Sequence, residues 1–193
     1  AWVGSLATDG KVRRFNALTG VLAATSAASV VQGAKDVRIT ASGRILVASS
    51  GNNRIVELAR DGSVVGDFVP AGSGGLADPS AIEFGPNGSV YVTSRGTNAV
   101  LRYDGATGAF LGAAVAPGAG GLVQPFGLAF DAQGVLYVNG SDRRVRRYDT
   151  ATGAFLGVFV ADTGNGGLND PRGMLFLPGG DLLALLLQGL RHV

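Results

Sequence analysis

The side chains that most often carry enzyme chemistry are scarce in this chain. Its 193 residues include no Cys and a single His, the penultimate His192. A disulfide framework, a thiolate zinc site, a cysteine nucleophile and a histidine-rich metal site are therefore excluded within one chain. A Ser–His–Asp triad would have to use His192. We predict that the protein is not an enzyme and needs no cofactor or metal.

Three glycine-rich segments lie next to the polar side chains best placed to bind a ligand. Gly74-Gly75-Leu76 recurs as Gly120-Gly121-Leu122 and as Gly166-Gly167-Leu168. Glycine-rich backbone can cradle phosphate, but no P-loop lysine follows any of these segments. We interpret them as structural linkers. If a small binding surface exists, the sequence predicts that it includes Asp78, Gln124, Asp170 and Arg172.

An arginine cluster around Val145 is a second candidate surface. On an extended strand, Arg144 and Arg146 share one face, whereas Arg143 and Arg147 share the other. The simplest interpretation is a solvated strand face. The alternative is that Arg144 and Arg146 contact an acidic polysaccharide or a partner protein. Nucleic acid is not predicted, because no set of exposed aromatic residues is interleaved with the basic ones.

Two triplets match the acceptor pattern for N-glycosylation. They are Asn87-Gly88-Ser89 and Asn139-Gly140-Ser141. Both fall at predicted turns or loops, so we expect both asparagines to be accessible. Modification then depends on the protein being extracellular.

The elements that position these residues come from an internal repeat. The glycine-rich segments recur at steps of 46 positions, and residues 107–112 are repeated letter for letter at 152–157. The repeat divides one propeller domain, 1–193, into blades 35–78, 79–124 and 125–170, with partial blades 1–34 and 171–193. Repeats of this length are typical of propellers, whereas solenoid repeats are usually shorter.

Each full unit predicts four short strands. In the clearest copy they span 80–84, 89–93, 99–103 and 109–115, with apolar alternation and β-branched or aromatic residues in the first three. Asp104 opens the last turn, and Asn16 and Asp149 hold the same place in other copies. We expect these side chains to accept backbone hydrogen bonds in the turn. The predicted fold is an all-β propeller of four to five four-stranded blades, incomplete at both termini.

The pattern from Pro125 to Gly157 resembles the blades of NHL-repeat propellers. It is most similar to the Gly/Ala-rich kind found in secreted or cell-surface bacterial proteins, which implies an extracellular or cell-surface location. That class includes non-catalytic binding propellers and borders on metal-dependent lactonases and streptogramin lyases. For a metal-dependent lactonase, the resemblance implies Glu, Asn and Asp ligands, yet Glu57 and Glu83 are the only glutamates in the chain. For a streptogramin lyase it implies a histidine, and no suitably placed one is present.

The first strand of each blade lines the central channel in such propellers. Arg38 and Glu83 are equivalent there, and Ala129 and Leu175 hold the same position in the other copies. The two charges predict either an ion pair or an isolated charge in the channel. Because the other positions are apolar, we expect a poor catalytic centre.

The two ends of the chain do not complement each other neatly. The N-terminus supplies strands two, three and four of a unit. The C-terminus supplies strand one, strand two and a candidate strand three at 189–193, so strand two is present twice. The ends close within one ring, or they meet between molecules, since unpaired edges template strand addition. A head-to-tail contact that does not close gives a filament. The candidate assembly contacts are Trp2, Val3, Leu182, Leu183, Leu185, Leu186 and Leu187.

The apolar run 182–187 has two interpretations. It is either a strand buried on both faces or a subunit contact. Six residues are too few to span a membrane.

The composition limits the remaining choices. Charged residues make up 16% and apolar residues 46%, and the net charge is +2. These values exclude a disordered, strongly charged chain and give no case for nucleic acid. We predict a non-catalytic extracellular structural or interaction module, self-assembling head to tail into a filament. Its partners are then itself, a polysaccharide or another surface protein. The alternatives are a monomeric carbohydrate- or protein-binding adhesin-like module and a metal-dependent lactonase-like hydrolase.

Overall fold

The computed structural model describes residues 2–4, 12–25, 30–168 and 171–186. Three antiparallel sheets are complete, with four strands each, and their strands follow one another in chain order. The second sheet holds β4 (Ala34–Ile39), β5 (Ile45–Ser49), β6 (Arg54–Leu58) and β7 (Val64–Val69). The third holds β8 (Pro79–Phe84), β9 (Val90–Ser94), β10 (Ala99–Tyr103) and β11 (Phe110–Val115). The fourth holds β12 (Leu128–Phe130), β13 (Leu136–Asn139), β14 (Val145–Tyr148) and β15 (Phe155–Val160).

Two smaller sheets flank these three in the sequence. The first sheet contains β1 (Trp2–Gly4), β2 (Val12–Phe15) and β3 (Leu22–Thr25). The fifth contains β16 (Pro171–Phe176) and β17 (Leu182–Leu186). The predicted propeller of four to five blades, incomplete at both ends, is confirmed.

The strand register repeats from sheet to sheet. At the third strand, Tyr103 is paired with Phe110, and Tyr148 with Phe155. The first sheet has the same pairing between Phe15 and Leu22, with an irregularity at the same place. The sheets are therefore structural copies, and positions in one sheet have defined counterparts in the others.

The hydrophobic core is divided among the junctions between neighbouring sheets. One cluster joins Leu46 and Val69 of the second sheet to Ile82 of the third. Another joins the third sheet to the fourth, where the rings of Tyr91 and Phe130 meet edge to face at 4.9 Å. Since each sheet buries its faces against its neighbours, a blade has no core of its own.

The inner strands β4, β8, β12 and β16 follow one another around a central channel, which their residues line.

The turn before the last strand is closed by a side chain in the first, third and fourth sheets, as predicted. Oδ1 of Asp104 accepts hydrogen bonds from the N–H groups of Ala106 and Thr107 at 3.0 and 2.8 Å. Asn16 and Asp149 make the equivalent bonds. These polar residues are thus explained by turn formation.

Candidate binding site at the channel mouth

The channel contains a cavity of about 1060 Å³ between the inner strands. Its two sides differ in chemistry. The side formed by β4 and β8 carries Lys35, Asp36, Arg38, Ser80 and Glu83, whereas β12, β16 and β17 contribute mainly apolar side chains. The cavity is therefore amphipathic across its width.

Arg38 organises the charged side. Its Nη2 lies 3.3 Å from Oε2 of Glu83, and its Nη1 lies 3.5 Å from Oδ1 of Asp36. Its Nε donates to the carbonyl oxygen of Ile82 at 2.9 Å, and Oδ2 of Asp36 accepts from the N–H of Ile82 at 2.9 Å. The predicted channel ion pair is present, and it joins two neighbouring blades.

Burial dominates the protonation of the two carboxyl groups. Loss of solvent raises the pKa of Asp36 above its usual range, although Arg38 and two backbone N–H groups act in the opposite direction. Burial also raises the pKa of Glu83, again against the attraction of Arg38. A single arginine shared between two carboxylates does not offset their loss of hydration.

The opposite side of the cavity exposes aliphatic surface. Leu175 on β16 is 52% exposed, and Leu183, paired with it on β17, is 50% exposed. Ala129 is the counterpart on β12 and is buried. This apolar side shows that the channel has no ring of convergent polar groups within the described residues.

A polar cluster surrounds Asp78 at one mouth of the channel. The Asp78 carboxylate is bonded to the ammonium group of Lys35 and, at 2.6 Å, to Nη1 of Arg95. Arg95 also reaches Oε1 of Gln124 at 3.5 Å. Two of the predicted binding residues, Asp78 and Gln124, are thus joined through one guanidinium group.

A cation–aromatic stack continues this cluster. The Arg95 guanidinium lies 4.4 Å from the centre of the Phe126 ring, and that of Arg172 lies 4.0 Å from it. Phe126 is only 3% exposed, so its ring is a packed support for the two cations. The third predicted residue, Arg172, therefore belongs to the same surface.

Two linkers hold Asp78 and Gln124 in the same backbone conformation and by the same hydrogen bond. Asp78 and Gln124 have φ of 50° and 40°. Oδ1 of Asn53 accepts from the N–H of Asp78, and Oδ1 of Asn98 accepts from that of Gln124, each at 2.8 Å. The amide side chain satisfies a backbone donor that the sharp turn would otherwise leave unpaired.

Three members of this cluster were not predicted from the sequence, namely Lys35, Arg95 and Phe126. Lys35, Ser80, Phe126 and Arg172 hold one repeat position, at the start of the inner strand. An alignment of the repeats on that position would have indicated Lys35 and Phe126, because a shared position places them at one mouth. Asp170, the fourth predicted residue, lies outside the described residues.

The arginine cluster is not a continuous surface patch. Arg146 is 1% exposed, and it bonds Asp142 and, at 2.9 and 2.8 Å, the carbonyl oxygens of Gly120 and Gly121. The prediction that Arg146 is available to a partner is wrong, because its guanidinium is enclosed beneath the linker. Arg144 is partly exposed and is paired with Asp162 at 3.0 Å.

The two predicted glycosylation sites differ in accessibility. Asn87 is exposed in the turn between β8 and β9, and its Oδ1 accepts from the N–H of Ser89. Asn139 lies in β13 with no exposed surface, where its Oδ1 accepts from the N–H of Gly127 at 2.7 Å. The expectation that Asn139 is accessible is wrong, because its side chain is buried and bonds β13 to the backbone just before β12.

The predicted assembly contacts lie in the two incomplete sheets. Trp2 and Val3 are in β1, and Leu182, Leu183, Leu185 and Leu186 are in β17. Leu187 and the candidate third strand at 189–193 lie outside the described residues. Since Leu183 is half exposed, the interpretation that this strand is buried on both faces is wrong at that position.

The described residues lack two further kinds of feature. No helix there is long and apolar enough to cross a membrane. No group of three or more His, Cys, Asp or Glu side chains in the described part of the chain could hold a metal ion.

Comparisons with known proteins support the fold. No protein-family model and no curated protein matches the chain. Virginiamycin B lyase from Staphylococcus aureus, in selenomethionine form, is 16% identical with a TM-score of 0.71, covering 95% of this chain and 58% of its own. The WD40 β-propeller domain of Doa1 is also 16% identical, with a TM-score of 0.72, covering 95% and 56%. A catalytically inactive form of the same lyase with quinupristin is 15% identical, with a TM-score of 0.67, covering 97% and 69%.

The chain therefore has a β-propeller fold and spans a little over half the length of the first two structures. At such low identity the likeness shows the fold alone. It does not identify the blades as NHL repeats.

Proposed function

We propose that this protein is a non-enzymatic propeller module, with NHL-type blades, that assembles with further copies of itself. The observation that carries the proposal is the number of strands in each sheet. Among the described residues, three sheets have four strands, whereas the first has three and the fifth has two. The second-position strands β1 and β17 therefore each have, in the described part of the chain, one edge that is paired in the complete sheets.

The open edges supply the driving force for association. In the described residues, β17 pairs only with β16, and β1 pairs only with β2. An unpaired edge presents a row of N–H and C=O groups that another strand can satisfy. A heterologous contact of this kind builds a ring or a filament, depending on whether it closes.

An extracellular or cell-surface location is part of the same proposal. It is supported by the resemblance of residues 125–157 to the Gly/Ala-rich blades of secreted bacterial proteins. A structural role also agrees with the channel, where the ion pairs of Arg38 face an aliphatic side.

The proposal is tested by the mass of the purified chain. Multi-angle light scattering over a wide concentration range, with negative-stain imaging, is expected to show species heavier than the 19.4 kDa monomer, increasing with concentration. A 19.4 kDa species at every concentration would overturn self-assembly.

A matched pair of variants tests the role of the open strand. Leu183 on β17 and Leu111 on β11 are 50% and 47% exposed, so lysine at either position has a similar cost to the isolated chain. A lysine near a sheet edge opposes strand addition. We expect Leu183→Lys to reduce the average mass and Leu111→Lys to leave it unchanged. Equal masses would exclude β17 from the contact.

The channel mouth favours a second candidate, a monomeric carbohydrate- or protein-binding module. Lys35 and Arg95 are paired with Asp78, and Arg172 stacks on the Phe126 ring that also supports Arg95, beside the cavity. Such a surface suits an acidic oligosaccharide. Calorimetric titration with oligogalacturonate should show saturable binding that Arg95→Gln weakens, and no heat with the wild-type protein would remove this candidate.

A further inference from the structure

The wall of the channel cavity changes in charge from the mouth inwards. Lys35 and Arg172 hold the same repeat position at the start of the inner strand, and both line the cavity. Asp36 follows Lys35 on β4, and Glu83 lies three residues beyond the equivalent position on β8, so both line the cavity further in. Cations therefore lie at the mouth of the cavity, and two carboxylates that share Arg38 lie within it.

The Arg172 guanidinium is held in an orientation that suits a carboxylate ligand. It lies 4.0 Å from the centre of the Phe126 ring, which is only 3% exposed. Stacking uses the face of a guanidinium, whereas its N–H donors lie in its plane. Those donors form the planar fork that matches the two oxygens of a carboxylate. Arg172 can thus bind an acidic group at the mouth while its stack on Phe126 is kept.

The inner carboxylates suit a different chemical group. Arg38 lies 3.3 Å from Glu83 and 3.5 Å from Asp36, longer than the roughly 2.7–2.9 Å of a strong charged hydrogen bond. Backbone N–H groups bond one oxygen of Glu83 and both oxygens of Asp36. Because a carboxylate accepts about four hydrogen bonds, the two groups retain capacity for hydroxyl donors. A second acidic group would be repelled there.

These two levels favour a ligand with one acidic end and hydroxyl groups behind it. A sugar acid such as a hexuronate has this arrangement. Acidic peptides and nucleic acids repeat the acidic group, and would place one beside Asp36 or Glu83. The cavity of about 1060 Å³ is large enough, since small-molecule pockets span roughly 300–1,000 Å³.

We propose that the channel binds a sugar acid end-on, with the ligand carboxylate on Arg172 at the mouth and its hydroxyl groups on Asp36 and Glu83 within. The inference rests on the second candidate function above, the binding of an acidic carbohydrate, and adds the class of the ligand and its direction. Arg95, which lies 4.4 Å from the centre of the Phe126 ring, contributes by supporting that ring.

Isothermal titration calorimetry with three small probes tests the proposal. Galacturonate carries both the carboxylate and the hydroxyl groups, galactose lacks the carboxylate, and hexanoate lacks the hydroxyl groups. We expect saturable binding of galacturonate, with galactose and hexanoate weaker by about tenfold or more, because each loses the charged hydrogen bonds of one level. Binding of galactose or hexanoate as tight as that of galacturonate would overturn the proposal.

Variants at the two levels should have different effects. Arg172→Gln should weaken galacturonate binding about tenfold and leave galactose binding unchanged, because galactose has no carboxylate. Glu83→Gln should weaken the binding of both sugars, because both donate hydroxyl groups to that side chain. Arg172→Lys keeps the charge without the planar fork, and should fall between Arg172→Gln and wild type. Equal weakening of both sugars by Arg172→Gln would overturn the placement of the carboxylate.

The Arg44–Glu57 pair supplies matched controls. Arg44 lies 4.9 Å from the centre of the ring of Phe68, which is also buried, and it bonds Glu57 within one blade. Arg44→Gln and Glu57→Gln should leave galacturonate binding unchanged, and thermal unfolding checks that every variant is folded. Weakening by these controls as large as that of the channel variants would overturn the assignment of the site.

The outcomes separate this inference from the second candidate function. If oligogalacturonate binds and the galacturonate monomer does not, the carbohydrate lies across the mouth, and only the end-on arrangement is overturned. If neither binds, both are overturned. Binding of poly-glutamate as tight as that of galacturonate would show that repeated acidic groups are accepted, and would overturn the choice of a sugar acid.

Discussion

The strands β11 and β15 begin with the same residues and end in different environments. Residues 107–112 and 152–157 are identical, and Phe110 and Phe155 are exposed to nearly the same extent, 43% and 41%. Four residues later the strands diverge, with Ala114 at 5% and Phe159 at 47% exposed. The difference teaches that strand formation is local to a blade, whereas burial depends on the sheet that follows it.

The largest effect should separate Phe68 from Phe159. Phe68→Ala removes a buried ring and should cost about 3–5 kcal/mol in the free energy of unfolding. Phe159→Ala removes a half-exposed ring and should cost about 1 kcal/mol at concentrations where the chain is monomeric. Urea unfolding of both variants measures the comparison. Equal losses would mean that Phe159 is already covered within the monomer.

A smaller effect should separate two glycines of equal backbone conformation. Gly108 and Gly20 have φ of 73° and 68°, so alanine at either position adds left-handed strain of about 1–2 kcal/mol. Only at Gly108 does the methyl group also overlap the Phe68 carbonyl oxygen. Thermal unfolding of monomeric samples should therefore show a clearly lower Tm for Gly108→Ala than for Gly20→Ala. Similar Tm values would contradict the packing difference between the first sheet and the complete blades.

The smallest expected effect is on the pKa values of two glutamates in Arg–Glu pairs. The Arg44–Glu57 pair lies within one blade, whereas the Arg38–Glu83 pair joins neighbouring blades. Glu57 receives two bonds from Arg44, at 2.8 and 2.7 Å, and these lower its pKa below 4.5. Glu83 receives one longer bond from Arg38, and burial raises its pKa above 4.5. Carbon-detected NMR titration should place the two carboxyl groups on opposite sides of that value.

The signs of the stability effects follow from these shifts. Glu57 contributes stability above pH 4.5 that is lost as the pH falls through its lowered pKa. Glu83 has the opposite sign, since a penalty appears as the pH rises from 4.5 through its raised pKa. The stability of Glu83→Gln relative to wild type should therefore increase with pH, whereas that of Glu57→Gln should decrease. Parallel pH profiles would contradict the assignment.

Prediction from the sequence succeeded where the interaction is local. The turns closed by Asp104 and Asn16 involve residues two and three positions away, so spacing is sufficient to predict them. The third strand was predicted at 99–103 and lies there, because alternation reports which residues share a face.

Prediction failed where the partner comes from another part of the chain. Arg146 looks like the partly exposed Arg144, but the carbonyl groups that enclose it lie 25 and 26 residues earlier. Asn139 looks like a loop residue, but its side-chain oxygen accepts a hydrogen bond from the N–H of Gly127, twelve residues earlier. Asp78, Gln124 and Arg172 were predicted as binding residues. Arg95 and Phe126, which connect them, were not predicted.

The amino-acid sequence by itself determined the repeat, the strands within each blade and the turns between them, because each depends on residues close together along the chain. Only the tertiary structure decided which repeat positions are covered, which charges meet in the channel and which surfaces are left open. Those properties depend on the sheet that packs against each blade, and strand periodicity is the same whether or not that neighbour is complete.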